Sequence, residues 1–225
     1  QHDGPPGLLT GYYEPVLEGS RTATAKFATP LHRRPADLVN LVDETMRGAK
    51  SDALTHGRRT DKGVVPYATR ADIEQGALAG QNLELLYIAN PVERFFLQVQ
   101  GSGLVRLRDG TLVRITYDGK NGHPYTSIGR HLIDTGQLAA DRMSLEALGN
   151  WLKADAERGK KVMWLNKSYV FFRELKGDEA AGAHGVLHIL LTPGRSLAVD
   201  AGFHAIGTPI FVSSPTSTHV ARGGV

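Results

Sequence analysis

Residues 104–117, LVRLRDGTLVRITY, have the clearest structural pattern in the sequence. Apolar and polar side chains alternate in both halves of this stretch, which is typical of β-strands with one buried face. Asp109-Gly110 separates the halves and favours a two-residue type I′ turn, in which both central residues need a positive φ. The stretch therefore predicts a β-hairpin with strands at 104–108 and 111–117.

Short segments on both sides continue this β pattern. Phe95, Leu97 and Val99 point to one face of this segment and Phe96, Gln98 and Gln100 to the other, and 26 glycines and 11 prolines suit tight turns. Strands are predicted at residues 7–15, 95–100, 169–172, 186–191, 196–199 and 209–212. The chain is therefore predicted to be mostly β.

A few helices are predicted from capping residues and apolar periodicity. They begin at Asp37, at the Thr69–Asp72 capping box, at Ser127 and at Ser144. The last three run to Ala79, to Thr135 before Gly136, and to Arg158 before Gly159. The polar, glycine-rich residues 47–66 predict a loop or linker.

Composition excludes several classes of protein. The chain has 225 residues, a net charge of +3 and no cysteine, so disulfides, thiolate metal sites and cysteine nucleophiles are excluded. The densest basic pairs are Arg33-Arg34 and Arg58-Arg59. They indicate a solvated surface or a mild preference of the protein for an acidic polymer. A basic stripe interleaved with aromatics is lacking, so nucleic acid is not an expected partner. No apolar run reaches the roughly 18 residues of a membrane span.

Standard catalytic and metal motifs are lacking too. Ser102 has no GxSxG frame, and Gly119-Lys120 is not a P-loop. His184 and His188 are four residues apart, but the β-rich context argues against a helical zinc site, so no metal and no cofactor is expected. The protease-like tripeptide at 134–136 falls at a predicted helix end and reads as a cap.

Three polar, glycine-flanked clusters remain, and each alone is typical of a turn. They are GYYEP at 11–15, QVQGSG at 98–103 and DGKNGHPY at 118–125. Together they suit a sugar groove, because amides and carboxylates bind hydroxyls while aromatic rings cover apolar sugar faces.

These clusters carry a resemblance to a known family. GYYEP at 11–15, QVQGSG at 98–103, YDGKNGHPYTSIGR at 117–130 and SYVFF at 168–172 resemble the signature blocks of membrane-bound lytic murein transglycosylase A. GRSLAVD at 194–200 and GTPIFV at 207–212 are similar to the start of that family's three-aspartate domain. The resemblance runs in order over nearly the whole chain.

The resemblance implies two β domains with a groove between them. Residues 1–70 and 175–225 would form a double-psi β-barrel, apparently incomplete at its C-terminus. Residues 71–174 would form a smaller inserted β-barrel.

The resemblance also implies cleavage of the β-1,4 bond between N-acetylmuramic acid and N-acetylglucosamine without water. A single aspartate protonates the bridging oxygen and then deprotonates the muramic acid C6 hydroxyl, which attacks C1 and gives a 1,6-anhydro sugar. Ordinary glycosidases use two carboxylates, whereas here the substrate supplies the nucleophile. No cofactor takes part.

The implied glycan-binding residues come from the matched blocks. They are Tyr12, Glu14, Gln98, Gln100, Gly101, Ser102, Gly103, Lys120, Asn121 and His123. Glu14 has the alternative of fixing a turn, and Asn121 and His123 that of bracing a loop.

The principal aspartate of the family matches no position of this sequence. Asp200 matches the first aspartate of the three-aspartate domain and is assigned a supporting catalytic role or a turn. Either the sequence lacks C-terminal residues or the protein is truncated and inactive; the unpaired edges of a shortened barrel favour the first.

Peptidoglycan strands are the expected partner, together with proteins of the cell-wall machinery, and the protein is expected to be monomeric. The expected location is the periplasm, with an outer-membrane anchor preceding Gln1. A conventional glycan hydrolase and a non-catalytic peptidoglycan-binding module remain as alternatives.

Overall fold

A computed structural model describes residues 14–41, 54–182, 185, 189–192, 194–199 and 203–212. Its main element is a six-stranded mixed sheet with the strand order β2-β6-β1-β7-β8-β9. These strands are β1 Val16–Ser20, β2 Thr29–His32, β6 Glu84–Ile88, β7 Ser102–Arg106, β8 Leu112–Lys120 and β9 Val170–Glu174. A second sheet contains β3 Leu38–Asn40, β4 His56–Thr60 and β5 Gly63–Val65.

The six-stranded sheet is curved but open. Strands β1 and β7 are parallel and the other neighbours are antiparallel. Its two edge strands approach each other, since His32 of β2 lies 2.8 Å (Nδ1 to hydroxyl) from Tyr169, next to β9. No backbone ladder joins these edges within the described residues, so the predicted closed barrels are not found there and the double-psi topology is not confirmed.

The predicted hairpin is confirmed as β7 and β8, but the predicted turn type is wrong. Gly110 has φ 85°, whereas Asp109 does not have a positive φ. Leu107 N–H donates to Thr111 O (2.8 Å) and Gly110 N–H to Leu107 O (3.0 Å). The loop therefore has three residues, and Gly110 alone takes the left-handed conformation, as in a turn followed by a glycine bulge.

The predicted strand at 95–100 is wrong, because these residues end helix α2, Pro91–Gln100. The Asn90 side chain caps the helix by accepting from Val92 N–H (2.8 Å), and Pro91 occupies the first turn. Gly101, at φ 83°, ends it. Six residues are too few to separate a period of two from a period of 3.6, so the caps were the decisive signal.

Two of the helices predicted from capping residues are confirmed. Thr69 and Asp72 form the reciprocal capping box of α1, Arg70–Asp72, which continues as a π-helical turn through Ile73–Ala77. Ser127 caps α3, Ile128–Asp134. The described part of the chain therefore has a mixed α/β fold with several helices, rather than the mostly β fold that was predicted.

The long helix predicted from Ser144 is divided in two. Helix α4 covers Leu145–Ala154 and helix α5 covers Ala156–Leu165. Asp155 has the extended angles φ −145° and ψ 108°, and its side chain accepts from Arg158 N–H (3.0 Å). Asp155 therefore caps a second helix, and Gly159 lies inside that helix rather than at an end.

The predictions for residues 37–66 are wrong where the structure describes them. Leu38–Asn40 pairs with β4 instead of starting a helix, and the Asp37 carboxylate accepts from Tyr67 O–H (3.0 Å). Residues 56–65 form the hairpin of β4 and β5 rather than a loop.

The predicted C-terminal strands are not formed in the described residues. Residues 196–199 and 209–212 are unpaired, and residue 190 makes an isolated bridge. Phe203 and Phe211 are 84% and 89% exposed. An extended segment needs a neighbouring strand to form a ladder, and the described residues provide none here. The predicted strand at 7–15 and residues 186–188 lie almost wholly outside the described residues.

Three apolar clusters stabilise the fold. The first packs on the main sheet, and the second joins α2 to α3, α4 and α5. The third packs β3 and the π-helical turn after α1 against the start of β9. Representative members are Leu86 and Ile115, then Phe95 and Leu132, then Leu38 and Phe171.

Strands from both sides of residue 70 share the main sheet, because β1 and β2 pair with β6 and β7. The division into residues 1–70 with 175–225 and residues 71–174 stays a prediction. Among the helices that the structure describes, none has the length and apolar character of a membrane-crossing segment.

Candidate functional site

Polar residues of two sequence clusters meet at one end of the main sheet. Val16 pairs in parallel with Leu104, and Leu104 N–H donates to Pro15 O (2.8 Å). Parallel strands begin at the same end of a sheet, so Glu14, before β1, and Ser102, at the start of β7, lie at the same end. We call this region the sheet-end site.

The end of α2 forms the second side of the sheet-end site. Gln100, its last residue, is partly exposed. Gly101 N–H donates to Leu97 O (2.9 Å), and Gly101 O accepts from Tyr117 N–H (2.7 Å). The left-handed φ of Gly101 turns the chain directly from the helix into β7.

Gly103 is required by close packing. A Cβ atom here would lie 2.6 Å from Leu97 Cδ1 and 3.0 Å from Pro15 O. A larger residue would push β1 away from the end of α2, so Gly103 keeps the two sides of the sheet-end site together.

Glu14 is held by Arg114, which the sequence analysis missed. One oxygen of the Glu14 carboxylate pairs with Arg114 Nη1, and Arg114 Nε donates to Ala180 O (3.0 Å). The other oxygen, Glu14 Oε1, is buried and has no partner among the described residues. Arg114 stands opposite Leu104 in the hairpin, and no sequence signal indicated its pairing with Glu14, a hundred residues away.

Gln98 does not line the sheet-end site. Its side chain is buried, its Oε1 accepts from Arg70 Nη1 (2.6 Å) and its Nε2 donates to Val170 O (2.9 Å). Gln98 therefore ties α2 to α1 and β9.

Arg70 belongs to a buried ionic cluster that the sequence analysis also missed. It donates to Asn166 O (3.1 Å) and Ser168 O (2.7 Å). Glu74 accepts from Arg70, from Arg94 and from the indole N–H of Trp164. Burial lowers the pKa of Arg70 below its usual range, while Glu74 opposes that shift.

Asn121 and His123 make bracing contacts. Asn121 is fully buried; its Nδ2 donates to Ala68 O and Lys167 O, both at 2.8 Å, and its Oδ1 accepts from Tyr169 N–H (2.9 Å). His123 Nε2 donates to Tyr67 O (2.8 Å).

Lys120 ends β8 opposite Val170, the residue whose carbonyl accepts from Gln98. It therefore lies beside the buried cluster, four residues beyond Thr116, which pairs with Ser102 at the start of β7. The structure brings together Glu14, Gln100, Gly101, Ser102 and Gly103. Gln98 is buried on α2, whereas Lys120, Asn121 and His123 lie at and just after the C-terminal end of β8.

Asp118 is the acidic group whose pKa moves in the direction that a proton donor needs. Burial raises the pKa of its carboxyl, and the positive charges of Arg34 and Arg173 oppose this shift. Among the described carboxyl groups with a resolved shift, the others move downward.

Tyr12, Asp200, His184 and His188 lie outside the described residues. Within the described part of the chain, no group of three histidine, aspartate or glutamate residues is placed to hold a metal ion.

Comparison with known proteins shows the family of this chain. The family model "MltA specific insert domain" matches residues 8–173. Membrane-bound lytic murein transglycosylase A of Vibrio cholerae is 35% identical over 210 residues, which are 92% of this chain and 49% of that protein. This chain belongs to the MltA family. The Escherichia coli K12 member is 30% identical, with 92% of this chain and 49% of that protein covered.

Solved structures of MltA proteins have the same fold. The membrane-bound lytic murein transglycosylase of Agrobacterium tumefaciens superposes with a TM-score of 0.72 at 33% identity, covering 83% of this chain and 51% of that one. MltA from Neisseria gonorrhoeae gives 0.68 at 31% identity, covering 83% and 53%. E. coli MltA with bound chitohexaose gives 0.67 at 30% identity, covering 86% and 49%.

The chain spans about half the length of these MltA relatives. The resemblance to this family in the sequence is thus confirmed. The glycan-binding assignments of individual residues stay predictions.

Proposed function

We propose that this chain is the glycan-binding part of a lytic transglycosylase that acts on peptidoglycan. The reaction cleaves the MurNAc-β-1,4-GlcNAc bond without water and leaves a 1,6-anhydro-MurNAc end. The observation that carries the proposal is the family match over residues 8–173, joined by relatives that are named lytic murein transglycosylases.

The sheet-end site is proposed as the surface that holds the glycan. Gln100, Ser102 and Glu14 supply an amide, a hydroxyl and a carboxylate, and these groups pair with sugar hydroxyls. Tyr12 would add an aromatic face. The bound chitohexaose of E. coli MltA supports an oligosaccharide as the ligand.

The remaining parts of the proposal concern the whole protein. A single aspartate acts as general acid and then as general base, with Asp200 in a supporting role. The groove lies between a double-psi barrel and an inserted barrel divided near residues 70 and 175. The protein acts in the periplasm as an anchored monomer, on glycan strands and beside other cell-wall proteins.

Mass spectrometry of a peptidoglycan digest tests the reaction. The protein as encoded is incubated with purified sacculi, and the released fragments are analysed. Anhydro ends are the expected product, whereas reducing ends would assign the protein to the conventional hydrolases. Binding without any released fragment would make it a non-catalytic module.

A further inference from the structure

Three polar residues lie side by side across the main sheet, beginning at the sheet-end site. Ser102 of β7 pairs with Thr116 of β8, and Thr116 pairs with Arg173 of β9. Residues that stand directly opposite each other in antiparallel strands have their side chains on the same face. Ser102, Thr116 and Arg173 therefore form a continuous row, which we call the cross-strand row.

The cross-strand row lies on the face of the sheet that is turned away from the apolar core. Val105, Val113 and Ile115 belong to the core and are buried. Because side chains alternate along a strand, Ser102 and Thr116 point to the opposite face. Each member of the row is partly exposed. The row therefore faces solvent rather than the core.

Arg114 joins the cross-strand row to the sheet-end site. It precedes Thr116 by two residues on β8 and therefore shares its face of the sheet. The Arg114 guanidinium pairs with the Glu14 carboxylate, which places Glu14 on this face too. The row and the sheet-end site are thus parts of one polar surface.

The 3₁₀ turn Gly177–Ala181 borders this surface. Arg114 Nε donates to Ala180 O (3.0 Å), and Arg173 Nη1 donates to Glu179 Oε2 (3.0 Å). The side chains of Arg173 and Glu179 are 36% and 55% exposed, so their ion pair is solvated and weak. The guanidinium of Arg173 has further N–H donors, which are available to a ligand.

The length of the cross-strand row suits an oligosaccharide. Neighbouring strands are about 4.8 Å apart, so the row extends about 10 Å from Ser102 to Arg173. A single sugar ring is shorter than this, whereas a chain of sugars covers the whole row.

We propose that Thr116 and Arg173 bind the glycan together with Ser102, so that the sugar chain crosses β7, β8 and β9 along the row. This inference rests on the proposed function, because it adds residues to the same glycan surface. The Thr116 hydroxyl donates and accepts hydrogen bonds, as sugar hydroxyls do, and Arg173 donates to hydroxyl or acetamido oxygens. Both residues lie outside the sequence blocks that predicted the glycan-binding residues.

Calorimetric titration of the protein as encoded with chitohexaose tests the role of Thr116. Thr116→Val replaces the hydroxyl with a methyl group and keeps a β-branched side chain in the strand, so it should fold normally. It should raise the dissociation constant about threefold to tenfold, the effect of one lost hydrogen bond. Thr116→Ser keeps the hydroxyl and should bind nearly as the wild type does. Thr111→Val, at the exposed hairpin loop, is the control and should leave the affinity unchanged.

Two arginine variants form a second matched pair. Arg173 and Arg106 each pair with an exposed glutamate, Glu179 and Glu18, but Arg106 lies at the far end of β7. Arg173→Met should raise the dissociation constant for chitohexaose about threefold to tenfold, and Arg106→Met should not change it.

The outcomes separate this inference from the proposed function. If Thr116→Val and Arg173→Met bind as the wild type does while Gln100→Ala binds more weakly, the row is not a glycan contact and the sheet-end site stands. If the wild-type protein binds no chitohexaose, the row and the proposed glycan surface both fail. Equal weakening by the control variants would also overturn the inference, because the loss would then not depend on the row.

Discussion

Gln98 and Gln100 differ in role although the sequence places them in one motif. In a strand the two side chains would share a face, whereas in a helix they point about 200° apart. Helix α2 therefore buries Gln98 against Arg70 and leaves Gln100 partly exposed. A sequence motif alone does not distinguish a ligand-binding amide from a structural one.

Gln100→Ala should weaken glycan binding without unfolding the protein. We expect a several-fold rise in the dissociation constant for chitohexaose and an unchanged melting temperature, because one exposed amide contributes about 1 kcal/mol or less to stability. Titration calorimetry and thermal unfolding measure the two effects. Gln137→Ala, at an exposed site after α3, is the control, and equal binding by both variants would contradict the assignment.

Asn121→Ala should destabilise the fold rather than act on glycan binding. Three hydrogen bonds would be lost, leaving buried backbone groups without partners at a cost of about 2–4 kcal/mol. Urea unfolding measures this loss. If stability were unchanged and glycan affinity fell, Asn121 would be a ligand contact instead of a brace.

His32 makes stability depend on pH. Burial, aided by the positive charge of Arg94, lowers the pKa of His32 from 6.5 to about 4. Between these values the unfolded chain binds the additional proton, so the stability is complete above pH 6.5 and falls as the pH approaches 4. The full shift corresponds to roughly 3 kcal/mol.

His32→Gln removes this proton-binding difference. Between pH 7 and pH 4.5 the wild-type protein should lose about 2 kcal/mol more than the variant in its free energy of unfolding, as measured with urea. Carboxylates affect both proteins alike and cancel in the comparison. Parallel pH profiles would show that His32 titrates normally in the folded state.

At the scale of elements, the end of α2 connects the fold to the sheet-end site. Gly101 must take φ 83° for the chain to enter β7 directly. Gly101→Ala should therefore cost about 1–2 kcal/mol and weaken chitohexaose binding. Gly149→Ala is the matched control inside α4, where an added Cβ would lie 3.4 Å from Phe96, and it should stabilise by about 0.5–1 kcal/mol. Equal effects of the two substitutions in urea unfolding would contradict this role of Gly101.

Elements with strong local signals were predictable. The hairpin of β7 and β8 and the capping box at Thr69 follow from side chains that act within a few residues. Helix α2 was not, because a six-residue apolar pattern fits either period and the outcome depended on the cap at Asn90. Strand β3 was not, because its outcome depended on pairing with β4.

The buried charges could not be predicted at all. Arg70, Glu74 and Arg94 have ordinary spacing in the sequence, and their burial follows from tertiary packing of three helices. The same holds for Arg114, whose partner Glu14 is a hundred residues away along the chain.

At the scale of the whole molecule, the sequence blocks identified the family more reliably than the architecture. The blocks at 98–103 and 117–130 lie within the matched residues 8–173. Barrel closure, by contrast, depends on pairing between distant strands, and β2 and β9 come close without forming a backbone ladder in the described residues.

The most direct test of the account is digestion of peptidoglycan by the protein as encoded in water labelled with heavy oxygen. Attack by the muramic acid C6 hydroxyl incorporates no solvent oxygen, so we expect unlabelled fragments with anhydro ends. Heavy oxygen at the newly formed sugar ends would contradict the account, because it would mean that water is the nucleophile.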